Sequence, residues 1–389
     1  MKIMFGSDVA LYRLTEFPGV DKVKEAMEEP AKILASADFS MINAECVFGR
    51  AEDGAPIPKS GPNLVADEVY TAYLEALNAN VLGMANNHSM DYGENVFRHS
   101  RKLLESKGFI CIGAGENTKD AYKPVIFEKD GIKIAIFAVC ENEFGAATAT
   151  TCGTAGYSLG ACSREIFEAL KNGQKPIVYF HGGNEYNPFP SPMKTELYRH
   201  FIDIGAEAVI AMHTHCPQGY EMYKGKPIVY SMGNFFFPYS FARDTKTWYY
   251  GYMSEVTIGE TETSLTIHPY TFTNEKITML QGEEKEQFMR YMDCLNAPLG
   301  KPEEVQAWFD AFCTTQAHYT NSLQKYTSEF FGDGEHRTKG EFLSVKNVFN
   351  CEAHNEVVRR VLHLIYENKL EQNKERVPLI KKLQNMEVI

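Results

Sequence analysis

The sequence predicts an α/β fold followed by a helical C-terminal part. Over residues 1–275, short apolar runs typical of buried strands alternate with segments of helical periodicity. From residue 276 onward the pattern is almost entirely helical, with charged residues interleaved. The composition, with 44% hydrophobic and 23% charged residues, is that of a globular protein with a sizeable core. We therefore predict an α/β domain at 1–275 and a helical extension at 276–389.

The first half of the α/β domain is predicted to alternate strands with helices. Turn residues bound each apolar run, and the segments between the runs place apolar side chains on one helix face. Pro30 predicts a break in the first helix, because proline removes a backbone donor from the helix interior. The predicted strands are 2–5, 38–43, 80–85 and 109–114, and the predicted helices are 21–34, 66–77 and 94–108.

The second half is predicted to combine hairpins with further strand–helix units. Asp130-Gly131 lies between two alternating apolar runs, which is a strong signal for a two-residue hairpin turn. A second hairpin is predicted at 220–237, turning at Lys224-Gly225. The segments 249–259 and 264–272 are predicted as edge strands of a mixed sheet. The remaining predictions are strands 175–180 and 206–212 and helices 164–173, 194–205 and 354–372.

Charge, cysteine content and hydropathy exclude several classes of protein. The formal net charge of -12 argues against a general nucleic-acid or anionic-membrane surface, which requires a basic stripe. The nine cysteines are scattered without a CxxC pair, which predicts free thiols in a reducing cytoplasm. No apolar run approaches the roughly 18 residues of a membrane helix, and the N-terminal run is too short for a signal peptide. We therefore expect a cytoplasmic protein without a membrane span.

Polar side chains follow the predicted strands at the points where the strands end. Because parallel strands expose their carboxyl ends along one edge, we expect these side chains to meet in one crevice. The two histidines of "AMHTH" would point to the same side if their strand stays extended, since the side-chain period is two. The residues with metal-binding side chains in this set are Asp8, Glu45, Asn87, His181, His213 and His215.

These side chains predict a site for one or two divalent metal ions. Imidazole, carboxylate and amide oxygen suit zinc, manganese or iron, and the lack of a cysteine cluster argues against a closed structural zinc site. Each residue also has a structural alternative. A lone histidine at a strand end is usually hydrogen-bonded, Asp8 is able to cap a helix, and Asn87 is able to form a turn. Their joint occurrence at strand ends favours a shared site.

The same stretches resemble the CapA, or poly-γ-glutamate capsule-synthesis, family of bacterial proteins, which belongs with the calcineurin-like metallophosphoesterases. The matching motifs are "GSDVAL", "NAE", "ANNHSMDYG", "HGGNEY", "MHTHCPQG" and "YSMGNFFF". The resemblance implies a four-layer α/β/β/α sandwich around a metal centre. It implies that Asp8 and His215 serve one ion and that Asn87, His181 and His213 serve the other. Glu45 would bridge the two ions, and His88 would face the substrate as donor to the developing charge or as acid for the leaving group.

Two departures from the family pattern carry expectations of their own. The superfamily usually opens with Asp-x-His, whereas Ala10 stands two residues after Asp8. The first ion therefore has one ligand fewer, which leaves open a single ion or a harder ion such as calcium or magnesium. The family commonly has His-Trp-Gly where this chain has His181-Gly182-Gly183. The missing indole is expected to leave a more open pocket.

Four further residues are candidates to support the chemistry. Asp91 lies three residues after His88 and is expected either to orient that imidazole or to cap the following helix. Glu185 and Asn234 are expected to contact the substrate or to support the metal ligands. Lys59 lies in a loop rich in proline and glycine, where it would contact an anionic substrate or simply remain solvated.

The main functional prediction is a metal-dependent hydrolase that cleaves a phosphoester or γ-glutamyl amide with a metal-bound hydroxide. Two alternatives stay open: a peptide epimerase on the same centre, and a non-catalytic partner in poly-γ-glutamate synthesis. The expected substrate is a small molecule, a peptide or polyglutamate rather than a nucleic acid. The C-terminal helices are interpreted as either a lid or a dimer surface, so a homo-oligomer stays open.

Overall fold

The computed structural model of the protein describes residues 1–12, 19–238, 245–317 and 339–389. Its strands, numbered in chain order, are β1 (Lys2–Val9), β2 (Phe39–Ala44), β3 (Val47–Phe48), β4 (Val65–Ala66), β5 (Val81–Gly83), β6 (Ile110–Ile112), β7 (Ala114–Gly115), β8 (Val125–Lys129), β9 (Ile132–Cys140), β10 (Gly153–Thr154), β11 (Lys175–His181), β12 (Ala208–Met212), β13 (Tyr220–Tyr223), β14 (Lys226–Val229), β15 (Asn234–Phe236), β16 (Tyr250–Ile258), β17 (Thr263–Phe272) and β18 (Ile277–Met279).

The α-helices are numbered in the same way. They are α1 (Val23–Leu34), α2 (Thr71–Leu77), α3 (Gly93–Ser106), α4 (Thr118–Ala121), α5 (Leu159–Lys171), α6 (Pro192–Asp203), α7 (Gly282–Asn296), α8 (Pro302–Thr315), α9 (Lys339–Asn350), α10 (Glu352–Tyr366) and α11 (Val377–Gln384). None of the helices within the described ranges is long and apolar enough to cross a membrane.

Two large sheets hold most of the strands. The eight-stranded sheet has the order β18-β17-β16-β1-β2-β5-β6, with β15 also paired to β1. Its β1, β2, β5 and β6 are parallel, whereas β16, β17 and β18 run antiparallel. The six-stranded sheet has the order β13-β14-β12-β11-β9-β8, with a parallel centre formed by β9, β11, β12 and β14.

Alternating side chains pack the two sheets face to face between two helical layers. Ile3 and Phe5 of β1 lie in the same buried cluster as Ile136 and Ile177 of the other sheet. Met4, which points to the opposite side of β1, packs with residues of α1, α2 and α3. On the far face of the six-stranded sheet, residues of β9, β11 and β12 pack with α5 and α6. The predicted four-layer α/β/β/α sandwich is thereby confirmed.

The C-terminal helices share the core between the sheets. Phe288 and Leu295 of α7, Trp308 of α8 and Leu383 of α11 belong to the same buried cluster as the inner faces of both sheets. Strand β18, which begins at Ile277, completes one edge of the eight-stranded sheet. The division of the chain into 1–275 and 276–389 therefore stays a prediction from composition.

Three sequence predictions about secondary structure were wrong. Helix α1 continues through Pro30, which is buried beside Met27 and Leu34, so burial of this face offsets the loss of one helical hydrogen bond. The predicted second hairpin ends at Val229. Its remaining part forms β15, which crosses to the other sheet and pairs in parallel with β1. Strands β16 and β17 are interior to their sheet, because β1 and β18 flank them.

Candidate metal centre and pocket

Strands from both sheets bring their carboxyl ends together and present the predicted metal ligands. Asp8 lies near the end of β1, Glu45 directly follows β2, and Asn87 lies in the loop after β5. In the facing sheet, His181 is the last residue of β11, and His213 and His215 follow β12. We call these six residues the strand-end centre. The expected crevice therefore lies between the ends of two packed sheets and not along the edge of one.

Short distances join the side chains of the strand-end centre. His181 Nδ1 lies 3.4 Å from Asp8 Oδ1, and His181 Nε2 lies 3.5 Å from Glu45 Oε1. The same Nε2 is 3.1 Å from Asn87 Oδ1 and 3.0 Å from His213 Nδ1. There are two sets of potential ligand atoms, and within each set all atoms lie within 4.8 Å of one another. One set comes from Glu45, His181 and His213, and the other comes from Asp8, Glu45 and His215. Glu45 belongs to both sets.

The two histidines after β12 converge through a turn and not through an extended strand. The strand ends at Met212, and His213 and His215 have φ angles of 101° and 56°. Non-glycine residues seldom adopt this region, and such strain is often retained at functional sites. The His213 N–H donates to Asp8 Oδ2 at 2.9 Å, which holds the turn against β1. The expectation that an extended strand would hold the two histidines was therefore wrong. Their rings are nevertheless close together, with centroids 5.9 Å apart.

The electrostatics of the strand-end centre favour a bound cation. Both carboxylate oxygens of Glu45 are buried, and neither accepts a hydrogen bond from any residue in the described part of the chain. Burial and the charge of Asp8 hold the pKa of Glu45 well above its usual range. Burial and the neighbouring His181 and His215 hold the pKa of His213 well below its usual range. A divalent cation would reverse the first effect, because it stabilises the ionised carboxylate, and it would suit the second, because it binds the neutral imidazole.

The donor set therefore fits a divalent metal ion. Carboxylate, amide and imidazole groups are the ligands that ions such as zinc, manganese and iron share. Cys216, the neighbour of His215, lies outside both ligand sets, and its thiol donates to the Asn187 carbonyl at 3.2 Å. The type of ion and the number of ions stay predictions.

Supporting contacts hold several ligands in place. Asn234 Oδ1 lies 2.8 Å from His215 Nδ1, and Asn234 Nδ2 donates to the Trp248 carbonyl, so this buried amide orients His215. Of the two roles expected for Asn234, the geometry favours support of a ligand over contact with substrate. Asn43, which the sequence reasoning missed as a site residue, donates to Asp8 Oδ1 at 2.7 Å. Its position in the "NAE" motif, two residues before Glu45, was the available signal.

His88, Asp91 and Lys59 form a second buried polar cluster beside the strand-end centre. Asp91 Oδ2 lies 2.6 Å from His88 Nδ1. Because a carboxylate only accepts hydrogen bonds, Nδ1 carries a proton and donates to Asp91, and Nε2 is the ring nitrogen that Asp91 does not contact. Asp91 also accepts from Lys59 Nζ at 2.7 Å and from the Leu64 N–H at 2.6 Å. Burial and the Lys59 charge lower the pKa of His88 to about 4.

The contacts in this cluster exclude one alternative each for Asp91 and Lys59, and contact of Lys59 with a substrate stays a prediction. The N-cap of α3 is Tyr92 without a side-chain cap bond, so Asp91 contacts His88 and does not cap the helix. Lys59 is not a solvated loop residue, because its side chain is only 1% exposed and also donates to the Asn87 carbonyl. The hydrophobic and turn patterns of the sequence could not predict these contacts, because the contacts depend on a loop that folds back over the strand ends.

A pocket of about 450 Å³ opens beside both clusters. Its strand-end side includes Asn87 and His88, together with Lys59, Glu143 and Glu185. The opposite side comes from the C-terminal part of the chain, and we call it the C-terminal wall. It consists of Phe312, Gln316, Asn347, Ala353, His354, Val357 and Gln384. The volume and the mixed lining suit a small molecule or the end of a polymer.

Hydrogen bonds fix the C-terminal wall to the loops of the sandwich. Both Glu352 oxygens accept from Asn142, one from the backbone N–H at 3.1 Å and one from Nδ2 at 2.7 Å. Asn184 Nδ2 donates to the Ala353 carbonyl, and Gln384 Nε2 donates to the Tyr186 carbonyl. The C-terminal helices therefore contribute residues to the lining of this pocket, and the choice between a lid and a dimer surface stays open.

Comparison with known proteins gives the family of the chain. Residues 3–239 match the model described as "Bacterial capsule synthesis protein PGA_cap". This chain belongs to the PGA_cap family. The match spans the six motifs of the strand-end centre and the His88 loop, and the chain carries the calcineurin-like metallophosphoesterase fold that this family has.

Similar proteins occur in two Bacillus species. The chain is 29% identical over 244 residues to the "PGA biosynthesis protein CapA" of Bacillus subtilis, which covers 62% of this chain and 63% of that protein. It is 31% identical over 169 residues to the "Capsule biosynthesis protein CapA" of Bacillus anthracis, which covers 42% of this chain and 41% of that protein. A solved hypothetical protein from Thermus thermophilus aligns over 72% of this chain with a TM-score of 0.44 and 15% identity.

The surroundings of Gly182 show which side chains lie where the expected indole would begin. A side chain at Gly182 would meet Glu141 at 2.6 Å and Phe180 at 2.8 Å, so other side chains of this protein occupy the space beside it. Glu141 in turn forms a buried ion pair with Lys194 at 2.5 Å. Gly183 and not Gly182 lines the pocket, and the expectation that the missing indole leaves it more open stays a prediction.

Proposed function

We propose that this protein is a metal-dependent hydrolase with its reactive centre at Asp8, Glu45, Asn87, His181, His213 and His215. The observation that carries the proposal is Glu45, whose two buried oxygens lack hydrogen-bond donors within the described ranges and which belongs to both sets of ligand atoms. A buried carboxylate without partners is costly in a folded protein, and such strained groups cluster at functional sites. Asp8 and His215 would hold one ion, and Asn87, His181 and His213 would hold the other.

The reaction chemistry follows from the residues around the centre. When bound, a divalent ion lowers the pKa of water from 15.7 to roughly 7 and polarises the bond to be cleaved. His88 then moves a proton at Nε2, because its Nδ1–H is held by Asp91. Lys59 donates to the other oxygen of Asp91 and to the Asn87 carbonyl, which fixes its loop beside the imidazole. An anionic substrate beside His88 would raise the pKa of this imidazole and favour its role as an acid.

The substrate class is proposed from the pocket and the family together. The pocket adjoins the strand-end centre through Asn87 and His88, so a phosphoester or an amide bond placed at the centre would extend a side group into the pocket. Relatives in the PGA_cap family are named for capsule and PGA synthesis. We therefore propose a phosphoester or a γ-glutamyl amide as the substrate, as expected for a protein that acts on poly-γ-glutamate or its precursors.

Metal analysis combined with a substrate panel tests the proposal. Purified protein is expected to hold one or two divalent ions and to cleave at least one phosphoester or γ-glutamyl amide. His215→Ala should lose metal and reduce kcat/KM by more than about 100-fold, since even contacts behind a metal ligand change activity by about 10–100-fold. His200→Ala, an exposed histidine on α6, is the matched control and should retain both.

The other outcomes point to different functions. A metal-loaded protein that cleaves neither substrate class would contradict the hydrolase and favour an accessory role in capsule synthesis. Exchange of a peptide α-proton in heavy water without cleavage would instead favour an epimerase on the same centre. Activity that persists in metal-free protein would contradict the role of the strand-end centre.

A further inference from the structure

A second group of metal-binding side chains lies at the boundary between the sandwich and the C-terminal wall. Glu143 lies in the loop after β9, whereas Cys351 and His354 lie at the start of α10. One carboxylate oxygen, the thiol sulfur and one imidazole nitrogen all lie within 4.8 Å of one another. None of these three residues belongs to the strand-end centre.

The start of α10 explains why its two ligands face the same way. Cys351 is the N-cap residue of α10, and His354 is three positions later on the first turn. Residues three apart on a helix are neighbours on one face, so the sequence Cys351-Glu352-Ala353-His354 presents sulfur and imidazole together. The two Asn142 bonds to Glu352 and the Asn184 bond to the Ala353 carbonyl fix this turn against the sandwich.

Polar contacts hold the residues around the cluster in place. Asn347, which precedes this turn, donates from Nδ2 to Ser60 Oγ at 3.2 Å. The Cys351 side chain is fully buried, with its sulfur 3.7 Å from Glu141 Oε2. These contacts fix the positions of the side chains that would act as ligands.

We propose that Glu143, Cys351 and His354 form an additional binding site for one soft divalent cation, zinc in the first instance. Thiolate, imidazole and carboxylate are the ligand types that zinc prefers, and thiolate disfavours magnesium and calcium. Metal–ligand distances of about 2.0–2.3 Å place tetrahedral ligand atoms roughly 3–4 Å apart. The present separations of up to 4.8 Å therefore close by small side-chain rotations.

The site would link the C-terminal wall to the strand-end centre. Glu143 and His354 both line the pocket, and Glu143 Oε1 lies 3.6 Å from His213 Nε2. With three protein ligands, the fourth position of the cation would be left for water or for an anionic group in the pocket. This proposal does not depend on hydrolase activity, because an accessory protein could use the same cation to hold α10 in place.

Cobalt substitution tests the site without an activity assay. A cysteine ligand gives bound Co²⁺ a near-ultraviolet thiolate-to-metal charge-transfer band, and the strand-end ligand sets contain no cysteine in the described part of the chain. Full-length protein loaded with Co²⁺ should show this band. Cys351→Ser should abolish it and reduce the bound cobalt by one equivalent. Cys216→Ser, which changes the thiol next to His215, is the matched control and should retain the band.

Two further variants keep the outcome decisive. His354→Ala leaves the thiol in place and should also lose one equivalent of cobalt, which covers the case in which Cys351→Ser fails to fold. His215→Ala should lose metal from the strand-end centre but retain the thiolate band, so failure of this site and failure of the proposed function are separable. Absence of the band in cobalt-loaded wild-type protein, or its persistence in Cys351→Ser, would overturn the proposal.

Discussion

Two carboxylates near the pocket, Glu45 in the strand-end centre and Glu352 in the first turn of α10, differ in whether their oxygens accept hydrogen bonds. Both oxygens of Glu352 accept hydrogen bonds from Asn142. Neither oxygen of Glu45 accepts one from a residue that the structure describes. The difference is consistent with a role of Glu352 in the fold and with the proposed role of Glu45 in binding a cation.

The same contrast extends to the residues around each glutamate. Near the C-terminal wall, Asp310 accepts from Arg360 in a bidentate pair, and Glu304 accepts from Arg376. In the strand-end centre, Asp8 and Glu45 face imidazoles and amides. A site with this unbalanced negative charge is expected to be optimised for binding at some cost in stability. Changes in the two regions should therefore affect different properties of the protein.

The largest effect is expected from His88→Gln. Loss of the group that moves a proton should lower kcat by about 10²- to 10⁴-fold on whichever substrate the panel identifies. Metal content should not change, because His88 belongs to neither ligand set. The control is His99→Gln, since His99 is half exposed and paired with Glu68 on the surface. An equal loss of metal and activity in His88→Gln would show that this residue belongs to the strand-end centre.

A smaller effect, on stability, is expected from Asn142→Ala. This change removes the Nδ2 bonds to Glu352 and to the Tyr157 carbonyl, and it should lower the free energy of unfolding by about 1–3 kcal/mol. Urea unfolding measures the change, and the metal content of the strand-end centre should be retained. Gln287→Ala, at an exposed position of α7, should change stability by less than about 0.5 kcal/mol. A loss of metal from the strand-end centre in Asn142→Ala would contradict the expectation that changes in the two regions affect different properties.

The smallest effect is expected from Glu45→Gln and has the opposite sign. In metal-free protein, replacement of a buried carboxylate by a neutral amide should raise the free energy of unfolding by about 0.5–2 kcal/mol. Denaturation in the presence of a chelator measures this change, with the exposed Glu283→Gln as control. Without the chelator, the variant should bind metal more weakly than the wild type. A clear loss of stability in metal-free Glu45→Gln would mean that Glu45 supports the fold.

The sequence predicted the ligand types and the strand ends of the centre because both follow from local pattern. A buried strand is an apolar run, and the polar residues that follow it mark its carboxyl end. Asp8, Glu45 and His181 were identified in this way, and the structure brings them within hydrogen-bonding or ion-pair distance of one another through His181. The conformation of His213 and His215 was not predictable in this way, because their positive φ angles depend on packing against Asp8.

Contacts between distant segments escaped the sequence analysis. Lys59 reads as a loop residue, yet it is buried against Asp91 because the loop folds back over the strand ends. The end of the predicted second hairpin reads as a continuation of its strand, yet Asn234 lies in the opposite sheet beside His215. The approach of Cys351 to Glu143, more than 200 positions earlier, has no local signal at all.

The sequence by itself determined the α/β layering, the family and the chemical nature of the ligands, because apolar periodicity and short motifs act over a few residues. The tertiary structure alone decided which candidate ligands lie near Glu45, where the C-terminal helices pack, and that the Glu45 oxygens accept no hydrogen bond from the described residues. Those properties depend on how two sheets and a set of helices pack against one another. Packing brings together residues whose separation along the chain carries no information about their distance in space.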